Sequence, residues 1–265
     1  MFSRVVDIFN RPFADPVISN NLPFVSSPWP IILILGTYLT LVKVGKKWME
    51  HRKPYDLKNI ILAYNIFQIV YNAVLCYYVF FHLLFSVYDL QCMETLPLDH
   101  PSKTLERTLS YAYFINKITD LVETIFFVLR KSNKQITFLH IYHHLLMVSM
   151  CYVVLRFYGT GSQFSLMGAL NTFVHTVMYF YYFISARNPN MKSSVWWKKY
   201  ITLIQLVQFS ICFVQSVFML LFKQDCKFPL ILQYLQLTQA IVMIYMFSNF
   251  YLKAYVKPKQ QQKIM

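Results

Sequence analysis

The chain has 265 residues, of which 57% are hydrophobic and only 14% are charged, with a mean hydropathy of +0.41 and a net charge of +14. A soluble domain carries about 25% charged residues and about 45–50% apolar ones. The composition therefore excludes both a water-soluble domain and a disordered chain, and it indicates a membrane protein.

Seven apolar runs reach the length that crosses a bilayer, about 20 residues. In chain order they lie near residues 28–45, 58–87, 109–130, 136–157, 164–186, 200–222 and 230–252. The connections between them are mostly short, which favours antiparallel neighbouring helices. With no sign of a second domain or a repeat, the sequence predicts an all-α integral membrane protein. One domain spans residues 1–265, and its seven transmembrane helices form a bundle with an internal cavity.

The charges are distributed very unevenly between the two sides of these spans. If the N-terminal segment, residues 1–27, is non-cytosolic, the cytosolic segments hold 16 basic residues and two acidic ones, and the opposite side holds seven of each. The whole net charge then lies on the cytosolic side, as the positive-inside rule requires. This orientation predicts a basic cytosolic tail at 253–265 and removes the main support for a nucleic-acid partner.

The N-terminus, the C-terminus and two cysteines bear on the cellular compartment. The first 26 residues lack the apolar core of a cleaved signal peptide, so we expect the first span to be retained. The chain ends at Lys263-Ile264-Met265, which is half of a dilysine endoplasmic-reticulum signal. Cys92 and Cys226 fall in two loops on the non-cytosolic side, which is oxidising in the secretory pathway, and we hypothesise a disulfide between them.

Ionisable residues inside a membrane span are costly and mark function by default. The third span places Lys117, Asp120 and Thr124 on one helix face, with Glu123 beside it. Two interpretations stay open for this group. It is either a neutral buried ion pair that fixes helix packing, or a group that polarises a neighbouring imidazole or contacts a polar ligand.

The fourth span opens with three histidines within five residues, His140, His143 and His144, which converge on one side of a helix. Packing alone explains such a cluster poorly. Metal ligation and nucleophilic or general-base chemistry are the two competing uses. Cys151 lies on the same face and is a second nucleophile candidate, although a small core residue is the favoured interpretation there.

Polar residues also form stripes on the last three spans. The fifth span carries one at Asn171, His175, Met178, Tyr179 and Tyr182, in which Asn171 and His175 are expected to face a cavity. Tyr181 and Tyr182 alternatively suit an interfacial aromatic belt. Interhelical hydrogen bonding sufficiently explains the polar residues of the last two spans, which are Thr202, Gln205, Gln208, Gln233, Gln236 and Gln239.

Four motifs together resemble the very-long-chain fatty acid elongases, the membrane 3-ketoacyl-CoA synthases of the endoplasmic reticulum. His-x-x-His-His spans 140–144, Asn-x-x-x-His-x-x-Met-Tyr-x-Tyr-Tyr spans 171–182, and Thr-x-x-Gln-x-x-Gln spans 202–208. The Lys-x-x-Glu-x-x-Asp-Thr motif at 117–124 is present with its two acids exchanged. The resemblance covers essentially the whole chain, and the order of the four motifs makes it specific.

The resemblance implies that a long-chain acyl-CoA condenses with malonyl-CoA to give 3-oxoacyl-CoA, CO2 and CoA, with the alkyl chain held in an internal acyl tunnel. We assign the nucleophile to His143, with His140 and His144 orienting it or moving protons, and the stabilisation of the enolate to His175 and Asn171. The further substrate-binding candidates are Lys117, Asp120, Glu123, Tyr179, Tyr182, Gln205 and Gln208. Lys198, Lys199, Lys253 and Lys257 are candidates for binding the phosphates of CoA, although positive-inside topology explains these lysines equally well.

The same resemblance implies no cofactor and no metal, a location in the endoplasmic reticulum membrane, and a reductase and a dehydratase acting downstream. A homo-oligomer is a further expectation. The main alternative is a di-iron desaturase or hydroxylase, which needs roughly eight histidine ligands. This chain has seven histidines in all, and His51, His82 and His100 are scattered. A seven-helix receptor or transporter gives no reason for the clustered histidines.

Overall fold

The computed structural model describes residues 15–159, 163–188, 191, 195–223 and 225–256, without the side chains of residues 19–21. Over these residues the chain is helical, and no strand occurs among them. The eight α-helices are α1 Pro16–Asn21, α2 Trp29–Met49, α3 Lys58–Tyr78, α4 Lys103–Leu129, α5 Phe138–Val153, α6 Phe164–Arg187, α7 Val195–Phe222 and α8 Leu230–Tyr251. Three of them continue as π-helix: α3 over Val79–Leu84, α5 over Val154–Tyr158 and α8 over Leu252–Val256.

Five of these helices are long and apolar enough to cross a membrane: α2, α7, and α3, α5 and α8 with their π-helical ends. The chain is therefore a multi-pass helical membrane protein. Helices α4 and α6 are long enough to cross but more polar, because they carry the ionisable and polar residues of two of the motifs. The count of seven spans stays a prediction.

Helix α4 begins six residues before the apolar run that starts at residue 109. Lys103 and Glu106 form a buried ion pair with an Nζ–Oε2 distance of 2.8 Å. The Lys103 ammonium also donates to the Thr95 hydroxyl at 3.0 Å, and the other Glu106 carboxylate oxygen accepts from the Leu96 amide at 3.2 Å. Because each charge has its partners, the helix extends over charged residues that hydropathy places in a loop.

The described chain divides into two compact units, each made of two stretches of sequence. The first unit comprises residues 1–61 and 95–162. In it α4 packs against α2 and α5, around an apolar core that includes Tyr38, Phe114 and Val148. The N-terminal helix α1 is tied to α4 by the Arg107–Asp15 ion pair, whose Nη2–Oδ2 distance is 2.7 Å.

The second unit comprises residues 62–94 and 163–265. Helix α7 packs against α6 and α8, and the π-helical end of α3 packs against α6. A disulfide joins Cys92 to Cys226 with a Cα–Cα distance of 5.8 Å, and it links the segment after α3 to the segment between α7 and α8. The Glu94 carboxylate beside it accepts from the Lys227 amide at 2.9 Å. The prediction of one domain over the whole chain stays a prediction.

We expect the disulfide to be measurable by counting reactive thiols. Of the five cysteines, three are free in the structure, namely Cys76, Cys151 and Cys212. Alkylation of denatured but unreduced protein should therefore add three labels by intact mass, and prior reduction should raise this to five. A Cys92→Ser, Cys226→Ser variant is the matched control and should take three labels in both conditions. Five labels on the denatured, unreduced protein would contradict the pairing.

Two glycines of α2 give a matched pair for testing the contact between α2 and α4. A Cβ atom added at Gly45 would lie 3.0 Å from a methyl group of Val128, whereas one added at Gly36 would meet nothing within 4 Å. Val128 is buried and its branched side chain is stiff. We expect Gly45→Leu to destabilise the protein by about 1–3 kcal/mol through overpacking. Gly36→Leu should leave the melting temperature in detergent nearly unchanged, and equal melting temperatures would contradict the close approach.

Candidate active site

The three clustered histidines lie in the first two turns of α5, in the first unit. The Thr137 side chain caps this helix by accepting from the His140 amide at 3.2 Å, which fixes where the helix begins. The imidazole rings of His140 and His144 lie 4.4 Å apart between centroids, and those of His143 and His144 lie 5.7 Å apart. The helix thus brings the three predicted histidines together as one cluster.

Helix α4 contributes the polar group next to this cluster. The Thr124 hydroxyl lies 2.8 Å from Nε2 of His140, and the ring of Phe127 packs against the same imidazole at 5.4 Å. Lys117 and Asp120 form an ion pair with an Nζ–Oδ2 distance of 2.8 Å, and their side chains are 1% and 2% exposed. Both alternatives for this motif therefore retain support, since a buried ion pair and a contact to an imidazole occur on the same helix.

The ion pair acts electrostatically on several neighbours. The charge of Lys117 reaches the His143 imidazole and the Cys151 thiol, and its ammonium lies 5.0 Å from the centre of the Tyr113 ring. Glu123 is buried one helical turn beyond Asp120 and interacts with that carboxylate. The predicted nucleophile therefore lies in the field of a fixed internal cation.

The motif of the fifth span lies on α6, in the second unit. Asn171, His175 and Tyr179 are all buried, with Tyr179 completely so, and the His175 ring packs edge-on against the Tyr179 ring at 5.7 Å. Tyr182 contacts Tyr179 in turn, at 5.9 Å between ring centres. Tyr181 is 5% exposed and stacks against Trp197, so the interpretation as an interfacial belt does not hold for this tyrosine.

The remaining predicted residues lie on α7 and α8. Gln208 is buried and Gln205 is partly so, whereas Lys198 and Lys199 are exposed on the first turns of α7. Gln236 donates to Gln215 at 3.1 Å, as expected for interhelical hydrogen bonding.

Lys253, a further candidate for binding the phosphates of CoA, is exposed in the π-helical end of α8. Lys257 lies outside the described residues.

Sequence reasoning missed a polar ladder on α3. The Tyr64 hydroxyl lies 3.4 Å from the Tyr179 hydroxyl, Gln68 donates to Tyr64 at 3.1 Å, and Asn72 donates to Gln68 at 2.9 Å. Tyr64, Gln68 and Asn72 recur every fourth residue of an apolar span, which places them on one face. That spacing was a signal from which they could have been found.

One further residue was missed, and no sequence signal identified it. Tyr38 of α2 is 3% exposed, and its hydroxyl lies 3.1 Å from the hydroxyl of Thr124. A single tyrosine in an apolar helix equally suits the membrane interface. Only the packing of α2 on α4 places its hydroxyl next to Thr124, and so two hydrogen bonds from His140.

Potential metal ligands converge at one place in the described part of the chain. Cys92, Glu94 and Cys226 bring their ligand atoms within 4.8 Å of one another. Because the two sulfur atoms are joined in the disulfide, they are not available as thiolate ligands. This group therefore carries no argument for a metal centre.

Clustered imidazoles beside a buried ion pair, in a multi-pass helical protein, are the arrangement expected of a membrane enzyme. The model of the GNS1/SUR4 (ELO) family matches residues 23–263, and the chain belongs to this family. The match covers all four motifs, and it confirms the family predicted from them. It gives no support to the alternative of a di-iron desaturase or hydroxylase.

Curated relatives agree with this membership. The chain is 42% identical over 246 residues to very long chain fatty acid elongase F of Drosophila melanogaster, covering 92% of this chain and 94% of the relative. It is 37% identical over 247 residues to very long chain fatty acid elongase 7 of the same species, covering 92% and 74%. It is 33% identical over 244 residues to very long chain fatty acid elongase 4 of Homo sapiens, covering 91% and 76%.

Proposed function

We propose that the protein is a fatty acid elongase that condenses a long-chain acyl-CoA with malonyl-CoA. It is an acyltransferase, a 3-oxoacyl-CoA synthase, and the products are a 3-oxoacyl-CoA two carbons longer, CO2 and free CoA. The observation that carries this proposal is the histidine cluster of α5, next to the buried ion pair of α4, in a chain of this family.

The first half of the reaction forms an acyl-imidazole. A neutral imidazole nitrogen of His143 attacks the thioester carbonyl of the acyl-CoA, and the carbon–sulfur bond breaks. The other ring nitrogen of His143 loses its proton, and the departing CoA thiolate takes up a proton and leaves as free CoA. His140 and His144 lie close enough to each other to orient the cluster and move that proton. The fixed charge of the Lys117–Asp120 pair contributes to the field in which the tetrahedral oxyanion develops.

The second half forms the new carbon–carbon bond. Malonyl-CoA loses CO2, and the electron pair of the broken bond gives an enolate, which attacks the acyl carbonyl and displaces the His143 nitrogen. We assign the stabilisation of the enolate to His175 and Asn171, on the basis of the motif that they share with the family. Neither half needs a redox cofactor, because no electron is transferred to an external acceptor.

The setting of this reaction is part of the proposal. The proposed protein has seven spans with an acyl tunnel and lies in the endoplasmic reticulum membrane. Its N-terminus is non-cytosolic and its C-terminus is cytosolic, which agrees with the distribution of charge. Lys198 and Lys199 then lie on the side from which both CoA substrates arrive. The 3-oxo product requires a reductase and then a dehydratase to become a saturated chain.

The test is turnover by purified protein in detergent, with a panel of acyl-CoAs and malonyl-CoA labelled in the carbon that is retained. We expect a labelled 3-oxoacyl-CoA without added metal or reductant, and the panel gives the chain-length preference. Bound iron with oxygen-dependent modification of the acyl chain, and no condensation, would overturn the proposal.

A further inference from the structure

We propose that Tyr38 is a positioning residue for the histidine cluster, and that it acts through Thr124 to hold His140 in the tautomer that carries its proton on Nδ1. This inference rests on the proposed condensation, in which His140 orients the cluster or moves protons. It adds a residue of α2 that belongs to none of the four motifs.

The geometry is a chain of three polar groups from three helices of the first unit. The Tyr38 hydroxyl lies 3.1 Å from Oγ1 of Thr124, and the same Oγ1 lies 2.8 Å from Nε2 of His140. Tyr38 is 3% exposed and Thr124 is completely buried. The Thr124–His140 distance is that of a strong hydrogen bond and the Tyr38–Thr124 distance that of a longer one, so the three side chains form one continuous relay.

The role of Thr124 is unlike that of other helical threonines in this chain. The hydroxyls of Thr172, Thr176 and Thr202 each donate to a carbonyl four residues earlier in their own helix. Thr124 has no such bond in the structure, and both of its hydrogen bonds go to side chains of other helices. Its proton is therefore available to the imidazole.

Counting protons fixes the direction of the relay. A threonine hydroxyl has one proton and two lone pairs, so Thr124 either donates to one neighbour and accepts from the other, or accepts from both. If Tyr38 donates to Thr124 and Thr124 donates to Nε2 of His140, every hydroxyl proton has an acceptor, and the imidazole proton is on Nδ1. In the opposite direction the buried Tyr38 proton has no acceptor among the residues that the structure describes. If Thr124 accepted from both neighbours, its own proton would have none among those residues, and either unpaired buried donor costs free energy.

The consequence is a fixed imidazole beside the nucleophile. His140 is held by its Nε2 bond, by the Phe127 ring and by the His144 ring at 4.4 Å. The hydrogen bond that one ring nitrogen of a histidine makes sets which nitrogen carries the proton and how the ring is oriented. Tyr38 supplies this function from a helix that contributes nothing to the histidine motif.

The variant that tests the relay is Tyr38→Phe, which removes one hydroxyl and keeps the ring. We expect kcat of condensation to fall about fivefold, the effect of losing one hydrogen bond, with KM for acyl-CoA little changed. Thr124→Val should lower kcat at least as much, and Thr124→Ser should restore it. Tyr111→Phe is the matched control: its hydroxyl donates to the Pro23 carbonyl outside the relay, and its kcat should equal that of the wild type.

Two readouts separate positioning from a purely structural role. In the Thr124→Val background, adding Tyr38→Phe should lower kcat no further, because the relay is already broken. In protein labelled with 15N-histidine, the His140 signals, assigned by comparison with His140→Gln, should show an Nδ1–H tautomer in the wild type. They should show a mixture of tautomers in Tyr38→Phe.

The outcomes that overturn the inference are specific. An Nε2–H tautomer in the wild type contradicts the direction of the relay. A lowered melting temperature with unchanged kcat in Tyr38→Phe, or additive losses in the double variant, assigns Tyr38 to packing alone. If the wild type does not condense acyl-CoA with malonyl-CoA, the proposed function fails, while the tautomer is still measurable by NMR and tests the relay separately.

Discussion

Replacing His143 by alanine is expected to abolish condensation while leaving the protein folded. The imidazole is the only group to which we assign the acyl chain during turnover, and removing a nucleophile lowers turnover by on the order of 10⁴-fold or more. His140 and His144 remain in the variant, but the proposed mechanism does not assign the attack to either of them. The melting temperature in detergent should change little, because truncating one partly exposed side chain leaves the Lys117–Asp120 pair intact.

The decisive measurement is the covalent intermediate. Wild-type protein given acyl-CoA alone should gain the mass of one acyl group by intact-protein mass spectrometry, and His143→Ala should gain none. His140→Ala should still be acylated, more slowly, because its role is to orient the cluster. His51→Ala, at an exposed histidine distant in sequence from the cluster, is the matched control and should behave as the wild type.

Comparing acylation of His143→Ala and His140→Ala shows which residue is the nucleophile. Normal acylation of His143→Ala, together with loss of acylation in His140→Ala, would transfer the nucleophile to His140. Acylation lost only when Cys151 is replaced would assign the intermediate to the thiol.

Much of the fold follows from the long apolar runs of the sequence. A chain inside a membrane must satisfy its backbone hydrogen bonds internally, so each long run is expected to form a helix. The positions of the long helices agree with the seven apolar runs within a few residues at most ends. The largest differences are at the starts of α4 and α7. Helix α4 begins early because the Lys103–Glu106 pair neutralises charges that hydropathy treats as a loop.

The parts of the candidate site that were predictable are those whose residues lie close together in the sequence. The histidine cluster and the ion pair each lie within two turns of one helix, and helical spacing alone places their members on one face. Tyr38 was not predictable, since it lies 86 residues from Thr124, and its contact depends on how α2 packs on α4. The polar residues of α3 were only partly predictable. Their spacing of four residues is visible in the sequence, but the contact of Tyr64 with Tyr179 is not.

Replacing Lys117 by methionine is expected to cause a large loss of stability in the first unit. Asp120 would keep its charge in a buried position without the ammonium that now lies 2.8 Å away, and breaking a buried ion pair costs about 3–5 kcal/mol. The melting temperature in detergent should fall accordingly. Activity should fall as well, because the field of Lys117 at His143 disappears.

A double variant separates these two effects. Replacing both partners, as Lys117→Met with Asp120→Leu, also removes the buried carboxylate and should recover most of the melting temperature, since apolar replacements of a whole buried pair are often neutral. Condensation should stay low in this variant.

The matched control is the other buried pair of α4, changed as Lys103→Met with Glu106→Leu. It should retain kcat in the folded fraction, because it lies five to six helical turns from Thr124 along the same helix. Recovery of kcat together with stability in the Lys117, Asp120 double variant would show that this pair fixes helix packing alone. Low kcat at restored stability would assign to the pair a direct part in the chemistry of the histidine cluster.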